Sequence, residues 1–249
     1  MIVAWWSGGI TSAVACKKAL ELYDNVKLVY IETGAHHPDT LRFKADCERW
    51  YGVAIETIQN EKGYRDHLDV IEKDRYINGP TGARCTMILK RRVREVWEKK
   101  QDISGYVWGF EFGPKEEARA ERIGVSIPNY AHYFPLIESQ LTKPDCIRLV
   151  AEAGIEIPAM YKLGFQNNNC VGCVKGGMGY WNLVRTHFPE VFNKMAKAER
   201  EIGRSCLRKY FLDELPLDAG RNEPPLVQDC GATGEGCLTE LSRQYHQRE

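Results

Sequence analysis

The chain opens with an apolar run, Ile2 to Trp6, that breaks into Ser7-Gly8-Gly9-Ile10-Thr11-Ser12 and then into a helical pattern from Thr11 to Leu22. A strand that enters a helix through so short a glycine turn is the opening move of an α/β sheet. The turn leaves N–H groups that no helical carbonyl can meet, so it can hold an anion. Glycine lets backbone come close to phosphate oxygens, and the Ser7 and Ser12 hydroxyls add donors. The segment therefore predicts a nucleotide or pyrophosphate ligand. It is not a Walker A loop, since no Gly-Lys-Ser/Thr follows, and it lacks Gly-x-Gly-x-x-Gly.

Strand patterns follow at Lys27–Glu32, Ala54–Ile58, Tyr106–Phe110 and, more weakly, Tyr133–Leu136. Amphipathic helical patterns lie between them, at Thr40–Tyr51 and Met87–Lys100. This alternation predicts an α/β fold: an open, doubly wound, mostly parallel five-stranded sheet with helices on both faces. Ligands of such sheets bind beyond the carboxyl ends of the strands, where Ser7–Ser12, Thr33–Gly34 and the segment after Gly109 fall. A helix is expected from Lys143 to Ala153, started by Thr142 and stopped by Gly154. Beyond it come a loop-rich stretch from Gly164 to Gly179 and a long helical pattern from Pro189 to Leu215. Two parts are expected: a nucleotide-binding α/β domain over 1–138 and a helical, loop-rich extension over 139–249 that carries a cysteine cluster.

Charge balances at 34 basic and 34 acidic residues, so no global field draws the chain to nucleic acid. No stretch reaches membrane-spanning length and no signal peptide precedes the first strand, so a cytoplasmic protein without a membrane partner is expected. In that compartment nine cysteines point to metal binding or catalysis rather than disulfides. Cys170 and Cys173 form a Cys-x-x-Cys whose thiolates can reach one metal, with Cys85 and a tail cysteine, Cys230 or Cys237, as completing ligands. Cys16 and Cys146 read as buried helix residues, and Cys47 and Cys206 as helix residues without a role. His36 and His37 flank the second loop, and Lys175 follows the Cys-x-x-Cys.

Taken in order, these motifs resemble the adenine-nucleotide alpha-hydrolase superfamily, and within it the phosphoadenosine phosphosulfate (PAPS) reductase family, which shares its fold with ATP pyrophosphatases. Ser7–Ser12 is similar to its pyrophosphate loop, and Glu32-Thr33-Gly34 with His37-Pro38-Asp39-Thr40 to its second-strand motif. Gly109-Phe110 and the charged stretch to Arg119 resemble its Gly-x-Arg loop. Phe134-Pro135-Leu136 with Thr142 resembles the junction to its C-terminal part, and Gly164-Phe165 leading to Cys170 the approach to its Cys-x-x-Cys.

The resemblance implies that Ser7, Gly8, Gly9, Thr11 and Ser12 hold the phosphates of PAPS, APS or ATP, with Thr33, Gly34 and Gly109 bordering the nucleotide. Lys90 and Arg119 are its cationic candidates for charge developing during transfer. In iron–sulfur members a Cys-Cys pair and a Cys-x-x-Cys hold the cluster. Here Arg84-Cys85 stands at the pair, so Cys85, Cys170, Cys173 and Cys237 are the metal set, for a four-iron cluster or for zinc. Asp229-Cys230-Gly231 is similar to the family's nucleophile segment, with Ala232-Thr233 in place of its Leu-His. The first functional expectation is a sulfonucleotide reductase-like enzyme of sulfur metabolism that attacks sulfur through Cys230 and is recharged by a thioredoxin-like reductant.

Arg84-Cys85-Thr86 with Leu89-Lys90 also resembles a Cys-Thr-x-x-Leu-Lys segment of phage and DNA-phosphorothioation relatives. That likeness implies an ATP pyrophosphatase-type sulfur transferase, using Mg with ATP to adenylate a nucleic-acid or small-molecule target. A third expectation is a non-catalytic nucleotide-binding protein with structural zinc. A homo-oligomer is the expected assembly.

Overall fold

Strand β1 (Ile2–Trp5) lies at the middle of a five-stranded sheet. The computed structural model describes residues 1–79 and 82–220. The other strands are β2 (Val26–Glu32), β3 (Glu56–Gln59), β4 (Gly105–Val107) and β5 (Ala131–Tyr133). Their order across the sheet is β3-β2-β1-β4-β5, and every pairing is parallel. Side chains alternate across the pleat, so β1 feeds two cores. Ala4, Trp6, Leu28 and Tyr30 face α1 (Ile10–Leu22) and α2 (Asp39–Tyr51), while Val3, Val29 and Tyr106 meet Trp97 on the other face. Both faces are covered, as parallel sheets require.

The five expected strands are present, with shifted ends. The strand expected at Tyr133–Leu136 stops at Tyr133, because Pro135 cannot donate to a ladder and instead opens the short helix Pro135–Glu138. The helix expected over Met87–Lys100 starts earlier and is irregular: Arg84–Thr86 is α, Met87–Arg91 is π and Arg92–Glu98 is α again. Inserting a π turn shifts the side-chain register near Lys90, a device frequent at functional sites. Three further helices of eight residues or more, α3 (His67–Asp74), α4 (Pro114–Ser126) and one over Met178–His187, were not apparent from the pattern.

Beyond residue 138, α5 (Lys143–Glu152) forms as expected. Thr142 and Asp145 make a capping box at its start, and Gly154 follows its end at φ +71°. Its Cys146, Ile147 and Val150 join the same core as β1 and α1. The remaining helices, α6 (Met178–His187) and α7 (Pro189–Ile202), pack with α3 around Trp181, Ile71 and Met195. The helix expected to reach Leu215 ends at Ile202, because Gly203 takes the left-handed conformation at φ +74° and turns the chain back. Cys206 therefore lies in a bend, not in a helix. No helix among the described residues is long and apolar enough to cross a membrane.

Candidate functional site

Ser7–Ser12 lies at the carboxyl end of β1, where the order of strands reverses between β2 and β4. Open α/β sheets bind ligands at this point. Gly8 has φ +83°, and a Cβ there would meet the Thr40 methyl at 3.0 Å. Ser12 folds the turn: its hydroxyl accepts from Ser7 N–H at 3.0 Å and donates to Gly9 O at 2.8 Å. Ile10 N–H donates to the buried Tyr161 hydroxyl at 3.2 Å. Asn168 donates to Gly8 O at 2.8 Å and to Thr40 Oγ1 at 3.1 Å. Among the described residues no acceptor meets the N–H groups of Gly8, Gly9, Thr11 and Ser12. The Asn168 Oδ1 is buried and likewise unpartnered.

The loop after β4 presses on this turn. A Cβ on Gly109 would lie 2.6 Å from Ser12 Cα, so only glycine fits at that crossing. Arg119 is exposed on α4, with its guanidinium 4.2 Å from the centre of the Phe110 ring and 3.1 Å from Glu116.

Gly34, at φ +70°, passes close to α3's lead-in, where a Cβ would lie 1.9 Å from Arg65 O. Thr33 is buried, with Oγ1 3.2 Å from Cys170 Sγ. Beside it Tyr30 donates to Glu32 at 2.9 Å, and its hydroxyl also lies 2.7 Å from His36 Nδ1. Burial pushes the Glu32 carboxyl up, but hydrogen bonds from His36, Gly34 N–H and Tyr30 outweigh it and bring the pKa to about 2. Burial opposes charge on His36, yet Cys170 and Glu32 raise it to about 9. Burial would likewise raise Cys170, but His36, the Lys90 charge and Thr33 bring that thiol down to about 7. Carboxylate, imidazolium and thiolate thus form a line at the carboxyl end of β2.

The cysteine turn is tied to this loop by Val171 N–H donating to Ala35 O at 2.8 Å. Tyr180 clamps it, accepting from Cys173 N–H at 2.9 Å and donating to Cys170 O at 2.7 Å. Cys85 joins the group: burial raises its pKa, and negative charge on Cys173 and Cys170 raises it further. Cys206 is raised by burial, then by Glu199, and also by Cys173. Burial pushes up Cys16, Cys47 and Cys146, as fits buried apolar roles. An open cleft of about 930 Å³ adjoins the turn, lined in part by Asn167, Asn169, Lys175 and Asn182.

The structure thus gathers Ser7–Ser12, Thr33, Lys90, Cys85, Cys170 and Cys173 at one end of the sheet, with Gly34 and Gly109 as close-packing points. Cys230 and Cys237 lie outside the described residues. No three His, Cys, Asp or Glu side chains among the described residues converge tightly enough to hold a single metal ion. The pattern missed Tyr161 and Asn168, which both bond to the phosphate turn. For Asn168 a signal existed, the Asn167-Asn168-Asn169 run before Cys170; for Tyr161 none did.

Residues 1–176 match the model of the phosphoadenosine phosphosulfate reductase domain. Two uncharacterised proteins of Methanocaldococcus jannaschii, MJ0973 and MJ0066, are similar, at 22% identity over 202 residues and 24% over 208. Each alignment covers 80% of this chain but only 47% and 42% of the respective relative, so the chain spans less than half the length of these curated relatives. A crystal structure of phosphoadenylyl-sulfate (PAPS) reductase from Candida auris, a phosphate complex, aligns with TM-score 0.48 and 13% identity, over 68% of this chain and 80% of that one. With more than half of its length in that one match, the chain belongs to the phosphoadenosine phosphosulfate reductase domain family.

Proposed function

We propose that the chain is an enzyme of sulfur metabolism that holds an adenine nucleotide by its phosphates at Ser7–Ser12 and transfers sulfur chemistry to thiols. The observation that carries this is the set of unmet N–H groups at Gly8, Gly9, Thr11 and Ser12, at the point where strand order reverses. Family membership supports a sulfonucleotide as substrate.

In this reading a thiolate, Cys230, attacks the sulfonate sulfur. The sulfur–oxygen bond to the phosphate breaks, and the nucleotide leaves with the electron pair. The S-sulfonate left on Cys230 is resolved by a second thiol from a thioredoxin-like reductant. That thiol attacks the Cys230 sulfur, forms a disulfide and releases sulfite; the two electrons come from the two thiols. The unmet N–H groups and the Lys90 charge stabilise the departing phosphate.

The soft donor set of Cys85, Cys170 and Cys173 suits an iron–sulfur cluster, held by thiolates spaced more widely than around one ion. Around a zinc ion, thiolates sit only ~3.8 Å apart, given a Zn–S bond of ~2.3 Å. Bound there, such a cluster would order the cysteine turn that lies beside the phosphate turn.

A second reading, ATP-dependent adenylation of a sulfur acceptor, is favoured by Lys90, Arg91 and Arg92, all exposed on the helical run beside the cysteine turn. They offer a basic surface to a nucleic-acid target. Turnover separates the two. Sulfite released from PAPS or APS with a thiol, and no pyrophosphate from ATP with Mg²⁺, is the expected result. Pyrophosphate alone overturns the reductase reading.

A further inference from the structure

We propose that the Tyr161 hydroxyl donates a hydrogen bond to the ligand phosphate at Ser7–Ser12, and so carries the first N–H of α1 one step outward to the anion. The inference rests on the nucleotide reading above and deepens it by one residue.

The serine hydroxyls expected to serve the phosphate have spent their protons inside the turn. Ser12 donates to Gly9 O at 2.8 Å, and Ser7 donates to Ser12 Oγ at 3.0 Å. Tyr161 is the opposite case. Its oxygen accepts from Ile10 N–H at 3.2 Å, and the Asn168 backbone N–H also bears on it. A phenol has lone pairs to receive with and one proton to give. The protein fills the receiving side, but no acceptor among the described residues takes the proton. Glu111 does not take it, since its Oε2 has no partner and its Oε1 faces Lys143 at 3.6 Å; the Asn168 Oδ1 is likewise unpartnered. At 2% exposure the side chain has almost no water to give it to. A buried donor left unmet costs free energy, which an incoming oxygen recovers.

The place for that oxygen is open. A Cβ on Gly9 would meet two atoms, the Tyr161 hydroxyl at 3.4 Å and Ser7 Oγ at 3.8 Å. Glycine leaves this volume empty, at the N-terminus of the 13-residue α1 and among the unmet N–H groups of the turn. A phosphate oxygen lying over Gly9 receives the phenol proton. Burial pushes the Tyr161 pKa up to about 12, against the pull of the Ile10 and Asn168 N–H groups, so the hydroxyl stays a donor at neutral pH. The Ile10 N–H polarises the O–H that it bonds, and the two act as a relay.

The test uses the full chain. Calorimetry measures 3′-phosphoadenosine 5′-phosphate, inorganic pyrophosphate and adenosine against wild type and Tyr161→Phe, with circular dichroism as the check on folding. The variant should lose about tenfold in affinity for both phosphate ligands, as for a hydrogen bond to a charged group, and bind adenosine as wild type does. Tyr161→Phe also leaves Ile10 N–H unmet, so a second protein carries 3,5-difluorotyrosine at position 161. Fluorine makes the O–H a better donor and the oxygen a poorer acceptor. Below neutral pH, where this phenol keeps its proton, phosphate affinity should rise about twofold or more; a role confined to accepting from Ile10 predicts a fall. This protein decides the matter if Tyr161→Phe does not fold. Equal phosphate affinity in wild type and Tyr161→Phe, or difluorotyrosine without a rise, overturns the proposal and leaves the nucleotide reading standing. A wild type that binds neither phosphate ligand overturns both.

Discussion

The phosphate turn and the cysteine turn sit side by side but are built in opposite ways. Ser7–Ser12 takes its shape from one contiguous segment after the central strand, where Ser12 folds it and Gly8 gives it its left-handed step, and Tyr161 and Asn168 brace it from outside. The Cys170–Cys173 turn rests on Ala35 and Asn78, remote in sequence, and on Tyr180 just beyond it. A ligand site made of backbone belongs to its fold, whereas a site made of side chains depends on every segment that meets it. The two should therefore fail differently when perturbed.

The largest effect is expected where the loop after β2 meets the lead-in to α3. Gly34→Ala forces a Cβ onto Arg65 O at positive φ. A loss of about 3 kcal/mol or more is expected, from overpacking added to backbone strain. Urea unfolding checks this, and a loss within error would mean that the approach is not fixed. Next comes Asn168→Ala, which cuts the tether between the two turns at Gly8 O and Thr40. It should cost about 1–3 kcal/mol in stability and weaken nucleotide binding about tenfold. Unchanged affinity would show that the phosphate turn stands without the extension.

Tyr180→Phe removes both clamps on the cysteine turn. About 1–2 kcal/mol of stability should go, with unchanged nucleotide affinity. A parallel loss of affinity would show that the two turns are not separable.

The smallest effect concerns pH. The Arg42 guanidinium holds the Asp39 carboxyl below its usual range, and Ala159 N–H donates to the same side chain at 2.8 Å. A depressed carboxylate pKa contributes stability above the unfolded value, about pH 4, that is lost as pH falls through the folded value. Asp39→Asn should therefore be slightly less stable than wild type at neutral pH, with the gap closing in acid. A gap that persists in acid would show the loss to be steric rather than ionic. Thermal melts from pH 3 to pH 7 measure it.

How much was legible in the sequence follows the same division. The five strands and the turn after β1 were readable, because apolar runs and a glycine turn are local signals. The stop at Gly203 carried a signal too, since glycine is the usual residue just past a helix end, but the helical pattern running on beyond it hid the bend and with it the place of Cys206. Local pattern did not disclose that Tyr161 meets Ile10, that Glu199 secures Cys206, or that His36 faces Cys170. Each depends on chain segments that only folding brings together. Gly34 and Gly109 were read as bordering the nucleotide; close backbone packing already accounts for both glycines.

The most direct test of the phosphate turn is a charge placed inside it. Gly9→Asp adds a carboxylate among the unmet N–H groups, at a position where a Cβ meets only the Tyr161 hydroxyl, at 3.4 Å, and the Ser7 hydroxyl, at 3.8 Å. Calorimetric titration with 3′-phosphoadenosine 5′-phosphate should show binding to the wild type and a loss of at least about thirtyfold, ~2 kcal/mol, in the variant, with circular dichroism unchanged. Equal affinity in the two proteins would place the phosphates elsewhere and contradict the account.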